Sequence, residues 1–375
     1  MAWADSSGAR GSVLPRLDQL IARPGFQARA LRWPIINRFA RRDGAEIFHL
    51  IQGFVSSQVL LALIEIEVLD HLAQGPATVE ALAQTTRTQP DRLRVFLQAG
   101  AAMGLLKRKR GDRYGLARKG AALRGVPGLT DMILHHKALY QDLAAPKELL
   151  QGKTDTELAA FWPYVFAAPG IEDGAAERYS DLMARSQRIV ADDTLRRVSF
   201  AQADHIMDVG GGSGAFLAAV ARAYPSVRLS LFDLPETQAA AQRFLASEGV
   251  ADRITRIPGS FRDGALPDGA DVITLIRVLY DHSDDTVRDL LAKVHAALPP
   301  GGRLVVSEPM SGGAKPDPIT DVYFAIYTLA MGTGRTRSAA EVATLLREAG
   351  FTGVTTQTPI RSYVTRTLTA EKPSA

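Results

Sequence analysis

"IMDVGGGSGAFLAAV", residues 206–220, is the stretch on which the fold turns. A mainly apolar run carrying Asp208 meets Gly210, Gly211 and Gly212, then Ser213 and Gly214, then an apolar pattern of helical period. Glycines at a strand-to-helix turn let the chain tighten and leave bare backbone for a ligand to lie against. Strand, glycine turn and helix open a nucleotide-binding βαβ unit. Asp233 ends the next strand, "VRLSLFDL", about twenty residues on, where a carboxylate can take both ribose hydroxyls. NAD and S-adenosylmethionine both fit that much. The loop reads G-G-G-S-G rather than the dinucleotide G-x-G-x-x-G, and Asp208 stands just before it. An acid there repels a pyrophosphate but attracts a cationic sulfonium ligand or its ammonium group. The pattern favours S-adenosylmethionine.

Outward from the turn, strands and helices alternate from about Asp204: "HIMDVG", "VRLSLFDL", "ITRIPGSF", "DVITLIRVLY" and "GGRLVVSEP", with helices between. This is an α/β pattern, a parallel sheet covered on both faces. The helix "SAAEVATLLREAGF" and strands "GVTTQTPI" and "SYVTRTLTAE" close it.

Upstream, Glu46 to about Leu72 reads as one helix, apolar on more than one side and so an oligomer contact. Two short helices follow, one capped by Thr78 and one opening at Gln89-Pro90-Asp91. The segments "LLKRKR" and "RYGLA", joined by a Gly-Asp turn, complete a winged-helix pattern. That pattern admits a function of another class, a DNA-binding regulator with an S-adenosylmethionine-sensing domain. The reading helix, Asp91–Met103, offers Arg92 and Arg94 but is otherwise apolar and Ala-rich, so no nucleic-acid partner is expected.

The chain of 375 residues has room for this organisation: a basic arm at 1–45, a helical dimerisation and substrate-covering domain at 46–190, and a cofactor domain at 191–375. With no cysteine, disulfides, thiol catalysis and Cys-bound zinc are excluded. No His or acid shows a metal-ligand spacing, and no apolar run is long enough to span a bilayer. Without a secretory signal, a cytoplasmic placement is expected. The net charge of +4 is uneven: residues 1–42 hold eight Arg against Asp5 and Asp18, a net +6. The arm's Arg residues alternate with Trp33, Ile36 and Phe39, which suits a peripheral contact with an anionic membrane or packing on a partner subunit. The remainder has a net charge of −2, against nucleic-acid binding by the main fold.

"DVGGGSGAFL", "LFDLPE", "PGSFRDGALPDGADV", "RVLYDHSDD", "ALPPGGRLVVSEP" and "GRTRSAAEVATLLREAGF", in that order, resemble the class I O-methyltransferases of the plant caffeate/flavonoid and acetylserotonin type. The resemblance covers roughly 46–375. It implies a Rossmann-like class I methyltransferase domain, S-adenosylmethionine as cofactor, and an intertwined homodimer. The Arg-rich arm and the "RVLYDH" variant look most like the branch that methylates a hydroxylated carotenoid. Phenol or polyketide O-methylation and C-methylation of a bacteriochlorophyll ring are the alternatives. By the same resemblance Asp208, Gly210, Gly212, Asp233 and Leu234 form the cofactor cradle. Gly259, Ser260 and Phe261 line the adenine, and Arg277 contacts the cofactor. Ser260 stands where the family has Asp.

The catalytic line departs further. The family reads V-L-H-D-W; this chain reads Val278-Leu279-Tyr280-Asp281-His282. Tyr280 replaces the His that deprotonates the acceptor. Glu308 matches one acid that supports that His, and Thr336 replaces the other. A phenol of ordinary pKa is a poor base at neutral pH. Three readings remain: Tyr280 only positions the acceptor, which is the preferred one; His282 or Asp281 takes the proton; or the acceptor is a carbon. On residue type alone, Asp281 is a helix cap and His282 a surface residue. The acceptor pocket implied by the resemblance involves His135, His136, Met183, Phe324, Tyr327 and Met331. Of two adjacent His on a helix, one normally faces solvent. Read without the resemblance, Met183, Phe324, Tyr327 and Met331 are core. An apolar pocket suits a long lipophilic acceptor.

Overall fold

The computed structural model describes residues 14–23, 25, 26, 29, 32, 34–161 and 186–374. The chain forms two compact units, Met1–Ala121 and Ala122–Ala375.

In the first unit α1 (Leu14–Ile21) precedes a long α2 (Pro34–Glu65). Pro34 starts α2, where its fixed φ and missing N–H are tolerated. The helix therefore crosses the expected arm boundary at 45. It also ends sooner than the apolar pattern suggests. Glu67 turns left-handed (φ 56°) and α3 (Val68–Ala73) begins afresh. Thr78, in the short β1 (Ala77–Thr78), caps α4 (Val79–Thr86) by accepting the Ala81 N–H. Pro90 opens α5 (Pro90–Ala102). Strands β2 (Leu106–Lys109) and β3 (Arg113–Leu116) form an antiparallel wing, with β1 on the other edge of β3. Gly111 and Asp112 turn the wing with positive φ. Arg94 of α5 pairs with Asp112, Asp91 and Glu80, while Val95 is 67% exposed. A neutralised Arg beside an exposed Val is not a base-reading surface.

A row on α2, including Ile47, Phe48, Leu50, Ile51 and Phe54, is exposed. Ile36–Glu65 even has the length and hydropathy of a membrane span. Counting uninterrupted apolar runs hides this, because isolated polar residues break the run yet leave the mean hydropathy high.

The second unit begins with α6 (Arg118–Gly125), which straddles the division, then α7 (Leu129–Asp142), α8 (Pro146–Leu150) and α9 (Glu157–Phe161). Residues 186–195 are helical. Strands β4 (His205–Val209), β5 (Arg228–Asp233), β6 (Ile254–Pro258), β7 (Val272–Ile276) and β8 (Arg303–Glu308) are parallel. The final pair, β9 (Thr352–Thr356) and β10 (Arg366–Glu371), runs antiparallel and makes the sheet mixed, in the order β6-β5-β4-β7-β8-β10-β9. Helices α10 (Ala215–Ala223), α11 (Gln238–Ser247), α12 (Asp284–Ala297), α13 (Ala325–Met331) and α14 (Ala339–Glu348) connect the strands. Two apolar clusters pack into this sheet unit, one with Leu290, Leu346 and Leu368, the other with Phe216, Leu217 and Leu229. A third joins Leu139, Leu149 and Leu158 to Tyr327, Ala330 and Met331. It ties α7–α9 to the sheet unit, which is why the division falls at 121/122 rather than at the expected 190/191.

Candidate functional site

The candidate residues gather at the carboxyl ends of β4, β5, β7 and β8, where strand order reverses and open α/β sheets bind ligands. Gly210, Gly212 and Gly214 all have positive φ. A Cβ on Gly211 would lie 2.3 Å from the Asp208 Oδ2 and 2.5 Å from Leu231. A Cβ on Gly212 would meet nothing within 4 Å. The loop is thus closed beneath and open above. Beneath it, Asp208 is fully buried; Oδ1 accepts from the Thr274 hydroxyl at 2.5 Å and Oδ2 has no partner. Burial pushes its pKa up to about 7. Asp208 therefore supports the loop from below. Its unpartnered oxygen is a fit for a cationic ligand above.

Asp233 accepts the Gly212 N–H on Oδ2 at 2.6 Å and the Leu234 N–H on Oδ1 at 2.7 Å. Each oxygen keeps lone pairs for a ribose hydroxyl. Burial pushes its pKa up, and those two N–H donors oppose the shift. Gly259 is held against Phe232: a Cβ there would sit 2.6 Å from the ring. Ser260 accepts the Arg262 N–H at 3.1 Å, so its hydroxyl shapes the turn and still has a proton to donate. Phe261 meets His282 edge to face at 5.3 Å. The His282 Nδ1 is 3.3 Å from Arg262 Nη2, and burial with two nearby Arg charges lowers its pKa to about 4. His282 is 8% exposed, so it is no surface residue. Its ring faces Phe261.

Arg277 follows β7 with φ 59°, unusual for a side-chain-bearing residue and typical of functional sites. Nη1 donates to the Ser186 hydroxyl at 3.0 Å and Nη2 to the Tyr280 hydroxyl at 3.1 Å. Tyr280 is buried, which pushes its pKa well up despite Arg277. Asp281, next in the chain, is also buried, which raises its carboxyl well above the usual range while Arg277 opposes the rise. Asp281 Oδ1 is buried without a partner. Ser283, not Asp281, caps α12, so Asp281 stays available.

Glu308, fully buried and pushed by burial to about 7, accepts the Tyr280 backbone N–H at 3.2 Å. It is a positioning residue. Arg337, missed in the sequence, is fully buried and fastens the same loop by donating to the Leu279 and His282 carbonyls, each at 2.8 Å, and to Asp284. Thr336, at the second supporting position, lies 3.4 Å from the Thr328 hydroxyl.

Opposite stand two ring pairs. His135 Nε2 is 2.9 Å from the Tyr327 hydroxyl, and His136 Nε2 is 2.7 Å from the Tyr323 hydroxyl. Both His are half-buried, so neither adopts the solvent-facing position expected of one of them. Burial takes His135 down to about 4 and lowers His136, and raises both tyrosines. The charges of Arg277 and Asp281 reach Tyr327, which places these rings near Tyr280. Tyr323 was not singled out in the sequence; it lies in a π-helical turn, Thr320–Phe324, that breaks the 3.6-residue pattern. Phe324 packs 4.8 Å from the Tyr323 ring. Met331 is fully buried in the third cluster, a core residue. Met183 lies outside the described residues.

Comparison with known proteins agrees with this geometry. Residues 140–352 match the O-methyltransferase domain and 48–123 the O-methyltransferase dimerisation domain. A demethylspheroidene O-methyltransferase of Rhodobacter capsulatus is 54% identical over 342 residues, 91% of this chain and 85% of that protein. One from Cereibacter sphaeroides is 52% identical over 369 residues, 98% of this chain and 97% of that protein. Human N-acetylserotonin methyltransferase, solved with S-adenosylmethionine, superposes with TM-score 0.74 at 21% identity, covering 88% of this chain and 98% of that one. The dimerisation domain supports self-association.

Proposed function

Because the chain belongs to the O-methyltransferase family and is an S-adenosylmethionine-dependent O-methyltransferase, we propose that its acceptor is the hydroxyl of a hydroxylated carotenoid of the demethylspheroidene type. The carrying observation is identity above half, over nearly the whole chain, to two enzymes of that name. The acceptor side supports it. Its four rings are held in neutral pairs, with both histidines pushed below their usual pKa. Such a wall suits an uncharged molecule with one hydroxyl.

S-adenosylmethionine, when bound, supplies an electrophilic methyl group. Asp233 and Leu234 would hold the ribose, and Gly259, Ser260, Phe261 and His282 would line the adenine. Gly210 and Gly212 leave room for the ligand, and Asp208 favours its positive charge. On the acceptor side, the Tyr280 oxygen takes a hydrogen bond from Arg277 and has a further lone pair for the acceptor hydroxyl. Its own proton would go to Asp281, the neighbouring buried carboxyl. The acceptor's proton passes to the Tyr280 oxygen as the Tyr280 proton passes to Asp281. Arg277 stabilises the negative charge that develops on the phenol oxygen. A buried carboxylate of raised pKa is a better final acceptor than an ordinary one. Tyr280 thereby replaces the family's His as a relay, and not as a base of its own.

The enzyme would work in the cytoplasm, peripheral to the inner photosynthetic membrane that dissolves its acceptor. Arm residues 1–42 provide one contact with that membrane. The test is transfer of labelled methyl from S-adenosylmethionine to demethylspheroidene in detergent micelles, beside a phenolic acceptor. Label in the carotenoid ether supports the reading. Label only in the phenol refutes it.

A further inference from the structure

The arm is not the only basic element. Between Leu105 and Ala121 the chain holds seven Lys and Arg against Asp112 alone, a net +6. That equals the charge of the whole 1–42 arm in less than half its length. The net charge of −2 over the rest of the chain conceals it, because acids elsewhere compensate. The wing concentrates these charges. Its register pairs Leu106 with Leu116 and Arg108 with Tyr114, so those residues share one face, where Leu106 and Tyr114 are buried. Lys107, Lys109 and Arg113 share the other face, with Gly115 opposite Lys107. Arg110 stands at the turn. Arg108 is paired to Asp112, and Arg113 donates to the Pro76 carbonyl. Among the described residues, Lys107, Lys109 and Arg110 are exposed and have no acidic partner.

We propose that this outer face of the wing docks on an anionic bilayer surface, independently of the arm. The proposal rests on the reading that the acceptor resides in a membrane. Unpaired cations are depleted from the centres of subunit interfaces, and α2 already offers an apolar face for self-association. Nucleic acid also attracts cations, but the adjacent helix α5 presents Val95 and a neutralised Arg94 where base-reading side chains would be needed. A lipid surface asks only for charge, and each cation near it strengthens binding several-fold.

The test is co-sedimentation of the full chain with vesicles of phosphatidylcholine alone or with added phosphatidylglycerol. The triple variant Lys107→Gln/Lys109→Gln/Arg110→Gln should bind the anionic vesicles about a hundredfold more weakly. Its melting temperature and its methyl transfer in micelles should match wild type. A second variant, with Arg23, Arg29, Arg32 and Arg38 changed to Gln, reports the arm separately. Wild-type vesicle binding by the wing variant overturns the proposal, whatever the arm variant does. So does equal binding of wild type to neutral vesicles. So does tighter retention on duplex DNA than on anionic vesicles at the same salt. If wild type methylates no carotenoid in micelles, the acceptor reading fails while the vesicle result stands.

Discussion

The glycine turn at 210–214 and the ring pairs that join α7 to the π turn and α13 form the two sides of the proposed site, built by different means. The turn works through backbone: positive φ at Gly210, Gly212 and Gly214, and no room for a Cβ at Gly211. Its parts lie within a few residues of one another, and the side-chain restriction is steric at Gly211 and conformational at its neighbours. The acceptor side works through side chains. His135 and His136 meet Tyr327 and Tyr323 from almost 200 residues away, and any of the four could change without unmaking the fold. One side preserves a cofactor; the other can be retuned to a new acceptor.

The largest expected effect is on the backbone side. Gly211→Ala drives a methyl into Asp208 and Leu231. Overpacking of this kind costs about 1–3 kcal/mol of stability. Calorimetry should find S-adenosylhomocysteine affinity reduced beyond detection. Affinity near wild type would mean that the loop yields, and the contrast between the two sides would weaken.

Next is Tyr280→Phe. Removing the relay oxygen should lower kcat by about 10²–10³, the range of a lost general acid–base partner, with S-adenosylhomocysteine affinity unchanged. A positioning role alone would cost only one hydrogen bond, about 0.5–1.5 kcal/mol or roughly tenfold at most. The size of the drop therefore decides between the two roles.

Stability should depend on pH through the floor of the cofactor side. Burial raises Asp208 and Glu308 each to about 7 in the folded chain. Folded protein then holds protons that the unfolded chain has released. The stability these carboxyls contribute is complete below the ordinary carboxylate range and is lost as pH rises through about 7. Melting temperature should fall between about pH 4 and about pH 7, the span between the two states' pKa values, and Asp208→Asn should flatten the fall. An unchanged slope in that variant would contradict the assignment.

The smallest effect is expected from Tyr323→Phe. His136 loses one neutral partner, so the acceptor KM should rise about three- to tenfold while kcat and cofactor affinity hold. A larger fall in kcat than rise in KM would move Tyr323 into the proton path.

What could be read in advance follows the same division. Gly210, Gly212, Asp233, the Thr78 cap and the Pro90 start are local signals, and each stands as a local feature of the chain. The direction of β9 and β10 was not legible, because alternation in sequence says nothing of strand sense. Tyr323 was hidden by the π turn, and Arg337 looked like any arginine until its carbonyl partners were in place. His282 and Asp281 are both buried, and neither is the surface residue or the helix cap that residue type alone suggests. The residue that resembles a base is turned to Phe261, and the one that resembles a helix cap is a buried carboxyl beside Tyr280.

The most direct test of the relay is the pH dependence of single-turnover methyl transfer to demethylspheroidene by wild type and Asp281→Asn, with S-adenosylhomocysteine affinity measured in parallel. Asp281 must be ionised to take the proton, and burial raises its pKa, so the wild-type rate should climb with pH along a limb above the ordinary carboxylate range. The variant should be about 10³-fold slower, without that limb, and bind S-adenosylhomocysteine as wild type does. A variant that keeps both the rate and the limb would show that the proton leaves by another route.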